Sequence, residues 1–494
     1  MAVKDSKITE KYVERQMNLL HTEEWREYSQ PVQGVDVYHQ LTGKVREEWL
    51  SDCAKERVLT KCLLEQVVEI SNLERACRKV VQNGGSAGVD SMSTTELPKW
   101  FSENWRDLQE SLRTGRYCPQ PVLAVEIPKA SGGTRQLGIP TVKDRVVQQA
   151  IHQVLSPRYE KVFSAHSYGF RPCRSAQQAL HASSNLISQG RGWIVDIDLA
   201  KFFDTVNQQR LMWTLSRRIG DNGLLKLIRD ILRSGIFVDG LVCQRTAGTP
   251  QGGPLSPLLS NIVLDELDKE LERRGHQFVR YADDLRIFMR SEKAAQRVME
   301  SVVEVIENRL RLRVNRDKSQ VCKGVMTNFL GHSFMGKDGT LILSKTSEKR
   351  FKDGLKKLTR RRRGISLEQL LKEVNQKIRG WLYYFRYAQM KSRLQKLVSW
   401  LQHRIRCFRL KQCKRTIGIV RFLRKLKVPE LRCWLMALSG KGWWRLSGTP
   451  QAHESMNNKW FNEIGLFDLT NNYLRLKFEE TAVYASTHGG VRGQ

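Results

Sequence analysis

The chain runs to 494 residues, room for two to four domains, and carries 83 Lys and Arg against 51 Asp and Glu, a net charge of +32. Apolar residues make up 40%, enough for real cores, yet no stretch approaches about 18 uninterrupted apolar residues, so no membrane span is expected. Ten cysteines lie scattered without a CxxC pair, which speaks against a disulfide framework and for free thiols in a reducing, cytoplasmic setting, while so basic a balance calls for a polyanionic partner, nucleic acid first.

Residues 1–55 are polar and helix-compatible, with turn signals around Ser29–Gly34; Met1–Met17 mixes acids and bases and resembles neither a signal peptide nor a transit peptide. From Glu56 to about Arg78 a helical pattern runs through Leu59, Leu63, Val67 and Ile70, ending in the Gly-rich stretch Asn83–Gly88. Val122–Pro128 reads as a strand. Beyond it Lys129 and Arg135 surround a Gly pair, and such cations on a turn suit a triphosphate as well as a solvated hairpin tip. Lys143–Leu155 reads as a helix and Gly192–Leu199 as a strand. Alternation puts Asp196 and Asp198 on one face of that strand, opposite Val195 and Ile197, before the chain breaks into Phe202-Phe203-Asp204.

Gly248–Asn261 is rich in Gly and Pro, where glycines let backbone approach a ligand, and turns into an apolar helix through Leu267. Phe278–Met289 reads as two short strands with Tyr281-Ala-Asp-Asp284 at the tip. Two adjacent carboxylates between apolar strands repel each other, which is a poor structural device and a sensible divalent-cation site, although the four residues alone fit an exposed Asp-Asp turn equally well. After 340 the character changes. Ser366 and Gln369 suggest a capping box, and Leu367, Leu370, Leu371, Val374, Ile378, Trp381, Leu382 and Phe385 follow at helical spacing. Residues 341–440 hold 28 Lys/Arg and 5 Asp/Glu, so +23 of the net charge sits in one fifth of the chain. Pro429 breaks the pattern, and 441–494 is less basic with a polar tail.

The acidic strand, the tandem acids and the Gly-Pro block together resemble the palm motifs of reverse transcriptases. That resemblance implies two Mg2+ ions held by Asp198, Asp283 and Asp284, with Phe203 as the steric gate against a ribose 2′-OH and Asp204 structural. It further implies that Gln251 contacts the incoming deoxynucleoside triphosphate, that Lys129 and Arg135 grip its phosphates, and that Arg171 and Arg174 of the block His166–Arg174 touch template or nucleotide. Asn315-Arg-Asp-Lys318 and Phe329-Leu-Gly331 resemble later palm blocks. Gln82–Asp90, Asn375–Phe385, Gly442–Arg445 and Trp460–Leu469 resemble segments of the group II intron-encoded branch, the maturases.

The implied fold is α+β: a right-hand polymerase with helical fingers and an antiparallel palm sheet, followed by an α-helical thumb or maturase domain. The expected division is 1–55 extension, 56–340 fingers and palm, 341–440 basic thumb and 441–494 closing segment. Implied partners are an intron RNA, an RNA template with DNA primer, deoxynucleoside triphosphates and a DNA target, with RNA contacts expected at Arg360, Arg361, Arg362, Arg363, Arg404, Arg406 and Lys411. Many members append an HNH endonuclease. Only His453 and His488, and no Cys, follow residue 440, so that nuclease is not expected. The alternatives are a domesticated, intron-free polymerase used in repair or defence, and a splicing factor without polymerase activity.

Overall fold

The computed structural model describes residues 62–128, 134–238, 240–245, 247–250 and 252–488, without the side chains of 135 and 479–488. The extension 1–55, Lys129, Gln251 and the Arg135 side chain therefore lie outside the described residues. The chain divides into two compact units, up to Lys323 and from Gly324 onward.

The first unit holds two four-stranded sheets. One is built from β1 (Val122–Pro128), β2 (Thr134–Ile139), β4 (Ile236–Val238) and β5 (Leu241–Cys243), in the order β2-β1-β4-β5. The other runs β6-β7-β3-β8, from β3 (Trp193–Ile197), β6 (Gln277–Tyr281), β7 (Asp284–Met289) and β8 (Gln320–Lys323), with every pair antiparallel. Strand β3 is central, and Ile194 through Ile197 are all buried, which is why its apolar run is nearly continuous.

Helix α1 (Val142–Glu160) starts where Thr141 Oγ1 accepts the Asp144 N–H. It outlasts the predicted end at Leu155 because Tyr159 continues its buried face. The helical pattern predicted from Glu56 breaks at Glu69, whose ψ of 132° separates Leu63–Val68 from Ile70–Asn83.

The second unit opens with the hairpin of β9 (His332–Met335) and β10 (Thr340–Leu343). Helices α2 (Lys345–Leu358), α3 (Leu367–Phe385), α4 (Lys391–Gln412), α5 (Thr416–Lys425) and α6 (Glu430–Ala437) follow. The hairpin packs within this unit. Gln389 N–H donates to Leu341 O at 2.7 Å, and Leu343 joins the core formed by Leu355, Val374, Ile378, Leu401 and Leu423. The division therefore falls at 323/324, ahead of residue 340.

Ser366 Oγ accepts the Gln369 N–H, but the Gln369 amide turns to Glu373, so only half the expected capping box forms. A complete box stands instead at Ser175 and Gln178. Three of the four α3 aromatics pack inward while Tyr383 is exposed: Trp381 stacks on Phe351 at 4.1 Å, Phe385 lies 4.9 Å from His332, and Tyr384 O–H donates to Leu330 O. No helix among the described residues is long and apolar enough to cross a membrane.

Candidate active site

The register of β3 against β7 brings the acids together. Asp196 pairs with Arg286 and Ile197 with Leu285. One step further along that register Asp198 leaves β3 opposite Asp284, the first residue of β7. Tyr281 pairs with Asp284 to close the β6–β7 hairpin, with Ala282 and Asp283 at its tip. Alternation then places Asp196, Asp198, Asp284 and Arg286 on one sheet face.

The tip is held from beneath. Ala282 has φ +58°, an unfavourable backbone for a residue with a Cβ. Its carbonyl accepts from Arg280 Nη1 at 2.9 Å, and Arg280 forms a two-pronged pair with Asp268 at 2.7 and 2.5 Å. Arg280 also donates to Asn261 Oδ1, and Asn261 Nδ2 donates to Gly169 O. A Cβ on Gly169 would come within 2.2 Å of Ala282 N, so the 166–174 block backs directly onto the acidic turn. Arg280, Asp268 and Asn261 are at most 1% exposed. The only sequence signal for this support was a lone Arg inside the apolar strand Phe278–Tyr281.

Asp198 is oriented by the Asn315–Ser319 stretch. Asn315 Nδ2 donates to Asp198 Oδ2 at 3.0 Å, Asn315 N–H donates to Asp198 O, and Asp198 N–H donates to Ser319 Oγ. Lys318 Nζ lies 3.9 Å from the same Oδ2. Arg286 Nη1 sits between Asp196 Oδ1 at 2.6 Å and Asp284 Oδ1 at 2.5 Å. Burial pushes the Asp284 carboxyl above the usual range, Asp283 and Asp198 add repulsion, and Arg286 opposes them. Asp196 is raised to about 6, by burial first.

No three His, Cys, Asp or Glu side chains among the described residues form a preassembled metal cage. The donor set still fits a hard divalent cation. The Asp283 and Asp198 carboxylates are close enough to disfavour the charge on Asp284, and magnesium completes its shell with waters and substrate phosphates.

Phe203 stands in the short turn Phe202–Thr205, which follows Lys201 at φ +47°. Its ring is 5.3 Å from buried Phe202. Thr249 N–H donates to Phe203 O at 2.7 Å, and Gly248 N–H to Val206 O at 2.8 Å. Gly248 has φ +81°, and a Cβ there would meet Phe203 O at 2.7 Å. Gly252 lies as tightly against Gly138 O of β2. The Gly-Pro block therefore spans from the Phe203 turn to the β1–β2 sheet, and its glycines permit both approaches.

Two arginine expectations need correction. Arg171 is buried, paired with Glu160 at 2.7 Å and donating to the Ser164 and Ser167 carbonyls, so it braces the 166–174 block. Arg406 is 4% exposed, donates to Met456 O and lies over Phe461, so it packs the second unit rather than facing RNA. Arg404 is half-buried and donates to Thr359 Oγ1. Arg363 pairs with Glu373 at 2.7 Å, Lys411 is half-buried, and Arg360, Arg361 and Arg362 are exposed.

Residues 127–334 match the family model for reverse transcriptase (RNA-dependent DNA polymerase), and 348–426 match the group II intron maturase-specific domain. The chain is 33% identical over 318 residues to protein YkfC of Escherichia coli, covering 56% of this chain and 83% of YkfC. The chain belongs to the reverse transcriptase family. Its maturase-specific domain places this reverse transcriptase in the group II intron-encoded branch, an RNA-directed DNA polymerase with RNA as a partner. It is 39% identical over 168 residues to the group II intron-encoded protein LtrA of Lactococcus lactis, covering 34% of this chain and 28% of LtrA. To nuclear intron maturase 3 of Arabidopsis thaliana it is 27% identical over 345 residues, 63% of this chain and 46% of the relative. It thus spans less than half the length of those two relatives.

Proposed function

We propose that this reverse transcriptase extends a DNA primer on an RNA template at a site where Asp198, Asp283 and Asp284 hold two Mg2+ ions. The β3–β7 register, which sets Asp198 beside the acidic turn, carries this reading. When bound, such ions stabilise the attacking and leaving oxygens of phosphoryl transfer. The protein's own part is positioning. Asn315 and Ser319 orient Asp198; Arg280 fixes the turn bearing Asp283. Phe203 presses where a ribose 2′-OH would stand. Gln251 contacts the incoming deoxynucleoside triphosphate, while Lys129 and Arg135 hold its phosphates.

The basic second unit binds intron RNA through Arg360, Arg361 and Arg362, with Arg363, Arg404 and Lys411 at the margin, and so assists splicing and mobility into a DNA target. Group II intron relatives and the concentration of positive charge in 341–440 support this part. The free thiols support a cytoplasmic setting. Asp283→Ala should lower RNA-templated primer extension by orders of magnitude and leave RNA affinity within about twofold, because the basic surface is elsewhere in the sequence. Full synthesis by the purified variant would overturn the assignment.

A further inference from the structure

Four carboxylates lie near the ends of β3 and β7, yet a cation stands between two of them. Arg286 is 5% exposed at its side chain, and its Nη1 reaches Asp196 and Asp284 together. A buried positive charge beside proposed metal ligands opposes metal binding, so its presence needs a reason. A simple cross-strand tie would need only the Asp196–Arg286 pair, which the register already supplies. The same nitrogen instead holds Asp284 Oδ1, two residues back on the same face.

We propose that Arg286, anchored by Asp196, is a positioning residue that fixes the rotamer of Asp284 and leaves that carboxylate a single oxygen for a divalent ion. The inference rests on the reading that Asp198, Asp283 and Asp284 bind metal. Asn315 does the same at Asp198 with a neutral amide, taking Oδ2. Both acids are thereby restrained before any ion arrives, by groups whose own geometry the sheet determines. Asp196 offsets the Arg286 charge, so the pair restrains Asp284 without adding net charge to the site. Outer partners of this kind typically contribute 10–100-fold to metal affinity.

The pair of charges makes the test clean. Removing Arg286 alone makes the site one unit more negative and leaves Asp196 buried without its cation, so charge and orientation change together. The double variant Arg286→Leu/Asp196→Asn removes one charge of each sign and leaves no side-chain donor at position 286. Net charge stays as it was, no unpaired carboxylate is left at position 196, and Asp284 loses the grip and the counter-ion that Arg286 gave it.

The experiment titrates the full chain with Mn2+ alone and follows free Mn2+ by electron paramagnetic resonance, beside a thermal melt and the Mg2+ dependence of primer extension. The double variant should melt within a few degrees of the parent, yet bind Mn2+ roughly tenfold more weakly. Its half-saturating Mg2+ should rise by a similar factor. Parental Mn2+ affinity in the double variant would overturn the proposal and reduce the pair to a tie between β3 and β7. Asp283→Ala is the control: if it too binds Mn2+ as the parent does, the metal-site reading fails and this inference falls with it.

Discussion

The pair beneath the acidic turn offers the sharpest energetic test. Asp268 and Arg280 are 0% and 1% exposed, joined by two charge-assisted hydrogen bonds at 2.7 and 2.5 Å. Asp268→Ala would strand the guanidinium in the core, at a cost of about 3–5 kcal/mol. For a unit of this size each kcal/mol lowers Tm by about 2–4 °C, so the fall should be roughly 6–20 °C. Asp268→Leu/Arg280→Met removes both charges, and such replacements are often neutral or stabilising, so most of the Tm should return. Activity should not return with it, because Arg280 no longer donates to Ala282 O and the turn carrying Asp283 loses its brace. Differential scanning fluorimetry gives the Tm, and single-turnover primer extension gives the rate. If Asp268→Ala melted within about 2 °C of the parent, the ion pair would not be what holds this part of the core together. If the double variant regained full activity, Arg280 would contribute charge balance alone.

Phe203→Ala should raise the ratio of ribonucleotide to deoxynucleotide incorporation by at least about tenfold, since about 1.4 kcal/mol of steric exclusion corresponds to that factor; an unchanged ratio in competitive primer extension removes Phe203 as the gate. Replacing exposed Arg360, Arg361 and Arg362 with Gln should flatten the log–log salt dependence of intron RNA binding by about 0.7–0.9 per lost phosphate contact. A filter-binding titration reads that slope, and an unchanged one would leave the run a solvated face. Asp265 has a buried Oδ1 without a hydrogen-bond partner, and burial raises its pKa to about 6. The folded state then holds a proton that the unfolded chain releases at ordinary carboxylate pH, so stability is present at low pH and lost as pH rises towards and through 6. Asp265→Asn should raise Tm at pH 8 and show little or no gain at pH 4; an equal gain at both would exclude ionisation as the cause.

The linear order of residues already points to the candidate chemistry. Only the resemblance to reverse transcriptases singles out Asp198 over Asp196 and marks Phe203, whereas the tandem Asp283–Asp284 stands out because clustered acids between apolar strands suit a divalent cation, and strand alternation alone places Asp196 with Asp198. The same holds for the apolar face of α3, whose 3.6-residue period survives in its buried Leu370, Val374, Ile378 and Leu382. Pairing across the sheet was not legible. Arg286 meets Asp196 from 90 positions away only because β3 lies antiparallel beside β7, and no local pattern encodes that register. Arg280, Asp268, Asn261 and Gly169 likewise converge under Ala282 only in the folded chain. The resemblance at Arg171 and the charge count at Arg406 both misled, because a sequence records that a residue is basic and not whether carbonyls and aromatic rings already surround it. Composition concentrates the positive charge in 341–440; burial decides which of its arginines reach the surface.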